Sequence, residues 1–222
     1  MPGPSRHVGM KYEYLAIEGN IGAGKTSLST RLSERYNTRL VLEEFAENPF
    51  LPKFYEQPDR YAFPLELSFL SERFAQLKAE LNSRDLFKPH IIGDYFLSKS
   101  LIFAKATLKG DELNLFMQLY EIMQPNLPQP DLLVYLYLDT QALQANIRKR
   151  GRTYEQQIPD SYLEQVQESY FDYIRTRSEL RVLILDTAGV DFVHNPADFE
   201  QICQLLEQDY PKGVTRISLK EA

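Results

Sequence analysis

Gly19-Asn20-Ile21-Gly22-Ala23-Gly24-Lys25-Thr26 fits the spacing GxxxxGK[ST] without substitution. Tyr14-Leu15-Ala16-Ile17-Glu18 runs into it as a short buried strand, and Ser27-Leu28-Ser29-Thr30-Arg31-Leu32 leaves it as the opening of a helix. Each position has a physical task. Gly19, Gly22 and Gly24 let the backbone curl so that its N–H groups converge on a phosphate. The helix start adds the positive end of its dipole. Lys25 brings a point charge to the β- and γ-phosphates, and the Thr26 hydroxyl is placed to ligate Mg²⁺. The four fixed positions arise by chance in on the order of one chain in a hundred of this length. The flanking strand and helix make chance rarer still. Gly19 through Ser27 are therefore the expected seat of a nucleoside triphosphate.

The composition sets the outer bounds. With 222 residues, 43% hydrophobic and 25% charged, the chain can bury a real core as one globular domain. A net charge of −6 argues against nucleic acid or an anionic membrane as a partner. Cys203 is the only cysteine, so no intrachain disulfide can form, and its setting predicts an inert thiol on a helix face. No apolar run reaches the ~18 residues of a membrane span, and no secretory pattern is visible. A cytoplasmic location is expected. Residues 1–9 carry Pro, Gly and Ser without periodicity. They are expected to be a leader or disordered arm, with residues 10–222 as the single domain.

Beyond the loop, strands and helices alternate. Thr38-Arg39-Leu40-Val41-Leu42 reads as a second strand that ends on Glu43 and Glu44, where ligands bind in an open α/β sheet. Pro58 suits a helix start, and a helical pattern follows from Tyr61 to about Ser83. Phe63, Leu67, Leu70, Phe74, Leu77 and Leu81 form its apolar stripe, and Ala62, Glu66, Phe69, Arg73 and Gln76 form the row beside it. Glu66 and Arg73 share a face two turns apart. They make either a boundary ion pair or a substrate-reading pair.

His90-Ile91-Ile92-Gly93-Asp94 is a third strand, and Asp94 has the place of a metal-holding aspartate. Helical patterns cover Leu101 to Leu108 and Asp111 to Met123, and Asp131 to Leu138 is a strand buried on both faces. The next helix runs into Arg148-Lys149-Arg150-Gly151-Arg152. Cations at a helix end suit the dipole, but beside a phosphate loop this run is better read as a lid that clamps phosphates. A helix at Pro159 to Ser178, a fifth strand at Arg181 to Asp186 and a last helix that Asn195-Pro196 starts and that runs to about Asp209 complete the pattern. The tail from Lys212 carries no clear signal. The expected fold is α/β: a five-stranded parallel sheet with helices on both faces and an arginine-rich lid.

Asp186-Thr187-Ala188-Gly189 imitates a GTPase switch motif, but it lies in the last strand and no Asn-Lys-x-Asp motif accompanies it. Two classes remain: a small-molecule kinase, or a binding scaffold that kept the fold and lost the chemistry. The motifs EGNIGAGKTSL, Glu43 after strand two, FYEQPDRYAF, the Asp94 strand, RKRGRTYEQQIP and Asp191-Phe192, in this order, resemble the deoxynucleoside kinases over about Lys11 to Asp209. The bacterial deoxyadenosine and deoxyguanosine kinases are the most similar group.

The resemblance implies ATP- and Mg²⁺-dependent phosphorylation of the 5′-hydroxyl of a deoxyribonucleoside, usually by a homodimer. It implies that Glu43 is the general base, with Glu44 its rival. Tyr55 and Glu155 match the pair that holds the sugar 3′-hydroxyl. Phe103 matches an aromatic stacked on the base. Arg150 and Arg152, joined by Arg148, match the lid arginines, and Asp191 and Phe192 match the loop around the donor adenine. Two positions depart from the family pattern. Asp94-Tyr95-Phe96 stands where many members have Glu-Arg-Ser, with Lys99 the candidate substitute for the arginine. Glu66 stands where the family places a base-reading glutamine beside Arg73. A purine is expected, deoxyadenosine ahead of deoxyguanosine.

Overall fold

The computed structural model describes residues 9–44, 48–83, 85 and 87–219. The expected arm at residues 1–9 lies outside the described residues apart from Gly9. The first strand, β1 (Tyr14–Gly19), is wholly buried because its side chains face helices on both sides. Tyr14 and Ala16 belong to one apolar cluster, and Leu15 and Ile17 to the other. This is the period-two alternation of a strand between two layers. β4 (Leu132–Tyr137) repeats it, with Leu133 and Tyr135 on one face and Leu132, Val134 and Leu136 on the other.

The sheet is parallel throughout, in the order β2 (Arg39–Val41), β3 (Ile91–Gly93), β1, β4, β5 (Arg181–Asp186), β6 (Gly213–Ser218). It has six strands, not the expected five. The tail from Lys212 supplies the sixth, paired with β5 from Arg181↔Gly213 to Asp186↔Ser218. Its signal is weak because an edge strand buries little: Val214 is 51% exposed. From β3 the chain crosses over β1 to reach β4. The loop after β1 therefore opens at the point where the strand order reverses, which is where open α/β sheets bind ligands.

Two helical layers cover the sheet. α1 (Lys25–Tyr36), α6 (Thr140–Arg150) and α8 (Pro196–Leu206) contribute to one core cluster, where Cys203 is buried as a free thiol. α3 (Pro58–Asn82), α4 (Ser98–Thr107), α5 (Gly110–Met123) and α7 (Asp160–Arg175) contribute to the other. A short helix that the sequence did not announce, α2 (Leu51–Glu56), leads into α3. In α3 the burial centre is not the expected stripe. Of that stripe only Leu70 and Leu77 are buried, whereas Ala62, Glu66, Phe69 and Arg73 of the adjoining row are. Apolar periodicity marks the greasiest face; here a polar site occupies the most enclosed one. No described helix is long and apolar enough to cross a membrane.

Candidate active site

The phosphate loop packs so closely against its neighbours that side chains are excluded at two of its turns. Gly19 has φ +150°, and a Cβ there would meet the Leu136 carbonyl oxygen at 2.7 Å. Gly24 caps α1 at φ +89°, and its Cβ would lie 2.9 Å from the Phe192 ring. Only glycine fits these positions. Lys25 Nζ donates to the carbonyls of Gly19 and Asn20, each at 2.9 Å. Burial and the nearby Lys99 ammonium lower its pKa to about 8, against the pull of Glu18, Glu43 and Asp94.

Two clefts open at the carboxyl end of the sheet. The wider one is lined by Gly22 to Ser27, by Ala142, Asn146, Lys149, Arg150 and Arg152, and by the loop Gly189–His194. That loop is built around two residues. Asp191 accepts from the backbone N–H groups of Val193 and His194. Arg31 of α1 donates to the carbonyls of Phe192 and Val193 and lies over the Phe199 ring at 4.1 Å. Arg31 was not picked out by the sequence, because its partners are backbone carbonyls about 160 residues away.

The second cleft lies between α2, α3, α4 and the residues after α6. Tyr55, Glu66, Arg73, Asp94, Phe103 and Glu155 all line it, together with Glu43. Phe54, Phe69 and Tyr162 complete its aromatic walls. Thr26 Oγ1 donates to Asp94 Oδ2 at 2.6 Å, and Asp94 Oδ1 accepts the Glu43 backbone N–H at 2.7 Å. One carboxylate thus ties the phosphate loop to the end of β2. A hydroxyl and a carboxylate at one point suit Mg²⁺, which keeps several waters and takes few protein oxygens.

Glu43 is the most heavily engaged carboxylate. Its Oε1 accepts from Arg73 Nε and Nη2 at 2.7 and 2.6 Å, and its Oε2 accepts from Lys99 Nζ at 2.5 Å. Burial alone would raise its pKa, but the two cations outweigh burial and hold it at about 2. Arg73 also donates to Ser100 Oγ at 2.7 Å. Glu44 is exposed and lines neither cleft. Lys99, the candidate substitute for the arginine, is buried on α4 and pairs with Glu43.

Behind this group lies Glu18, fully buried. It accepts the Phe96 backbone N–H and the Tyr170 hydroxyl, and Tyr170 packs edge-on against Phe103. At the other end of the cleft Glu66 is 1% exposed. Its Oε1 accepts from Thr107 Oγ1 at 3.1 Å, and its Oε2 has no hydrogen-bond partner among the described residues. Of the two readings of Glu66 and Arg73, the boundary ion pair is not formed, since Arg73 turns to Glu43 and Ser100.

A sequence model of the deoxynucleoside kinases matches residues 15–209. The chain belongs to this family. A Bacillus subtilis protein named deoxyguanosine kinase is 38% identical over 194 residues, 85% of this chain and 93% of that one. A second Bacillus subtilis protein, named deoxyadenosine/deoxycytidine kinase, is 30% identical over 196 residues, covering 86% and 90%. Among solved structures, deoxyadenosine kinase from M. mycoides with bound dATP superposes with a TM-score of 0.76 at 25% identity, over 88% of this chain and all of that one. The chain is a phosphotransferase of the deoxynucleoside kinase type.

The lid follows helical geometry. Ala142, Asn146, Lys149 and Arg150 recur at the spacing of one helix face, and that face lines the wider cleft. Arg148 falls on the opposite face. It is exposed and lines neither cleft, so its expected place beside Arg150 and Arg152 is corrected. Lys149 takes that position. Gly151 caps α6 at φ +75° and turns the chain so that Arg152 points back toward the site. Arg150 and Arg152 both pair with Glu155, which is buried, and Tyr154 stacks on Tyr55 at 6.2 Å. Glu155 and Tyr55 line the same cleft without bonding each other.

Proposed function

We propose that this kinase transfers the γ-phosphoryl group of ATP to the 5′-hydroxyl of a purine 2′-deoxyribonucleoside, deoxyguanosine ahead of deoxyadenosine. One observation carries the reading. Lys25, Thr26, Arg150 and Arg152 are the residues shared by the two clefts. A phosphoryl group passing from one cleft to the other meets three cations and a hydroxyl at the junction. Such transfer needs positioning and charge neutralisation more than covalent help.

ATP occupies the wider cleft, its phosphates on the loop and its adenine toward Asp191 and Phe192. Lys25 exchanges two neutral carbonyl partners for phosphate oxygens, a stronger charge-assisted bond. Thr26 and Asp94 would hold Mg²⁺, which when bound neutralises charge on the β- and γ-phosphates. Arg150 and Arg152 turn from Glu155 toward the transferring group, leaving Glu155 and Tyr55 for the sugar 3′-hydroxyl. Glu43 is ionised at every working pH. It orients the 5′-hydroxyl and takes its proton late, which a loose transition state permits even to a weak base. Lys99 and Arg73 keep it in place.

The deoxyadenosine-first order expected from the sequence is reversed here. The name of the 38% identical relative supports guanine, and so does the unpartnered oxygen of Glu66. An ionised carboxylate only accepts hydrogen bonds, and guanine offers the adjacent donors N1–H and N2–H₂. A homodimer is part of the proposal, because α5 leaves Leu115 and Ile122 47% and 70% exposed. Sedimentation of Ile122→Glu tests it, with a monomer expected.

The function is tested by offering the four natural deoxynucleosides, dGMP and dAMP with ATP and identifying the products. Deoxyguanosine should give the 5′-monophosphate fastest. Binding of ATP with no product from any acceptor would make the chain an inactive scaffold. Turnover of monophosphates alone would make it a nucleoside monophosphate kinase.

A further inference from the structure

Glu66 is a buried acid with one hand occupied. Thr107 Oγ1 satisfies Oε1, and Oε2 has no partner, although the residue lines the nucleoside cleft. A buried polar atom without a partner calls for an explanation; among the seven such described side-chain atoms, Glu66 Oε2 is the one whose residue lines this cleft, which points to a ligand. What that atom can do depends on its proton. As a carboxylate, Glu66 is acceptor-only; as a carboxylic acid, it donates one hydrogen bond and accepts another, like glutamine.

We infer that Glu66 chooses between the two purines by its protonation state. Ionised, it accepts from N1–H and N2–H₂ of guanine. Neutral, it donates to N1 of adenine and accepts from its N6 amino group. The base preference of the enzyme therefore swings toward guanine as the pH rises. This rests on the purine deoxynucleoside function proposed above.

The surroundings put the swing near neutrality. Burial raises the Glu66 pKa to about 7, against the pull of Arg73 and the Thr107 hydrogen bond. The groups facing Glu66 come from each neighbouring element: Arg73 on its own helix, Glu43 after β2, Lys99 and Thr107 on α4, Tyr55 on α2 and Tyr162 on α7. Glu43 stays ionised, its pKa held at about 2. The Arg73 guanidinium, although buried, is held charged by Glu43. Burial pushes the Tyr55 and Tyr162 phenols well up, so they stay neutral. Groups that act on the phosphates, Lys25 among them, serve both nucleosides alike and cancel in a ratio.

The test is the ratio of kcat/KM for deoxyguanosine to that for deoxyadenosine, from about pH 6 to about pH 8. It is paired with calorimetric counts of protons exchanged on binding each nucleoside, taken in buffers of different ionisation enthalpy. The ratio should climb about tenfold per pH unit near neutrality, because guanine needs the ionised form and adenine the neutral one. Deoxyadenosine binding should take up protons at pH 7 and deoxyguanosine binding should release them. Glu66→Gln should flatten the ratio and abolish both proton counts. Should that variant fail to fold, the wild-type ratio and proton counts decide alone. A flat ratio, or proton exchange of one sign for both nucleosides, overturns the inference while leaving the kinase function standing. Failure to phosphorylate either purine at any pH overturns the function instead.

Discussion

Glu66→Gln also has a consequence that needs no substrate. The carboxyl pKa is raised by burial from 4.5 to about 7 in the folded chain. Between those values the folded chain keeps a proton that the unfolded chain has released. This group therefore favours folding at low pH, and the advantage is lost as the pH rises through 7. That rise from 4.5 to about 7, at about 1.36 kcal/mol for each pH unit, amounts to about 3 kcal/mol. Glu66 is 1% exposed, so solvent does not screen the effect. Glutamine keeps an acceptor for Thr107 and cannot ionise. Urea unfolding of both proteins at about pH 4, 6 and 8 gives the stability of variant minus wild type. That difference should grow by about 3 kcal/mol from the lowest pH to the highest. Glu43 and the other carboxylates titrate in both proteins and drop out of the difference. Parallel stability curves would refute the claim that Glu66 pays a burial penalty as an anion.

Three further perturbations address the chemistry. Glu43→Gln should lower kcat by roughly 10²–10⁴-fold, the usual worth of a general base, with a smaller change in nucleoside affinity; Glu44→Gln should be mild, and the reverse ranking in steady-state kinetics would move the base to Glu44. Lys99→Met leaves Glu43 to Arg73 alone, and removing one partner of a buried pair should cost about 3–5 kcal/mol in urea unfolding. A loss under about 1 kcal/mol would show that Lys99 is not needed to neutralise Glu43. Arg150→Ala and Arg152→Ala should each reduce kcat through lost phosphate contacts, while Arg148→Ala should not; equal effects in all three would return the run to a solvated helix end.

The sequence disclosed what depends on local spacing. The strand, phosphate loop and helix from Tyr14 to Tyr36 are where the motif put them, because each glycine and the Lys25-Thr26 pair sit at fixed offsets. Asp94 was legible as a carboxylate at a strand end, and Glu66 and Arg73 as neighbours on one helix face. What the sequence hid depends on contacts between distant segments. β6 was hidden because an edge strand is stabilised chiefly by its backbone ladder with β5. Arg31 was hidden because it holds carbonyls, which carry no residue signature. The helix register set Arg73 beside Glu66, but it could not show that Glu43, 30 residues earlier in the chain, takes the guanidinium. Arg148 was misplaced because resemblance to a basic run ignored the helix period, which was present in the sequence all along.

The most direct test of the account follows a labelled phosphoryl group. The protein is incubated with ATP labelled at the γ-phosphate, Mg²⁺ and deoxyguanosine, and the products are separated and positioned by mass spectrometry. Wild type should place one label on the 5′-oxygen of deoxyguanosine, and Lys25→Ala, though folded, should place none. Label released as inorganic phosphate beside unmodified nucleoside, or undiminished transfer by Lys25→Ala, would contradict it.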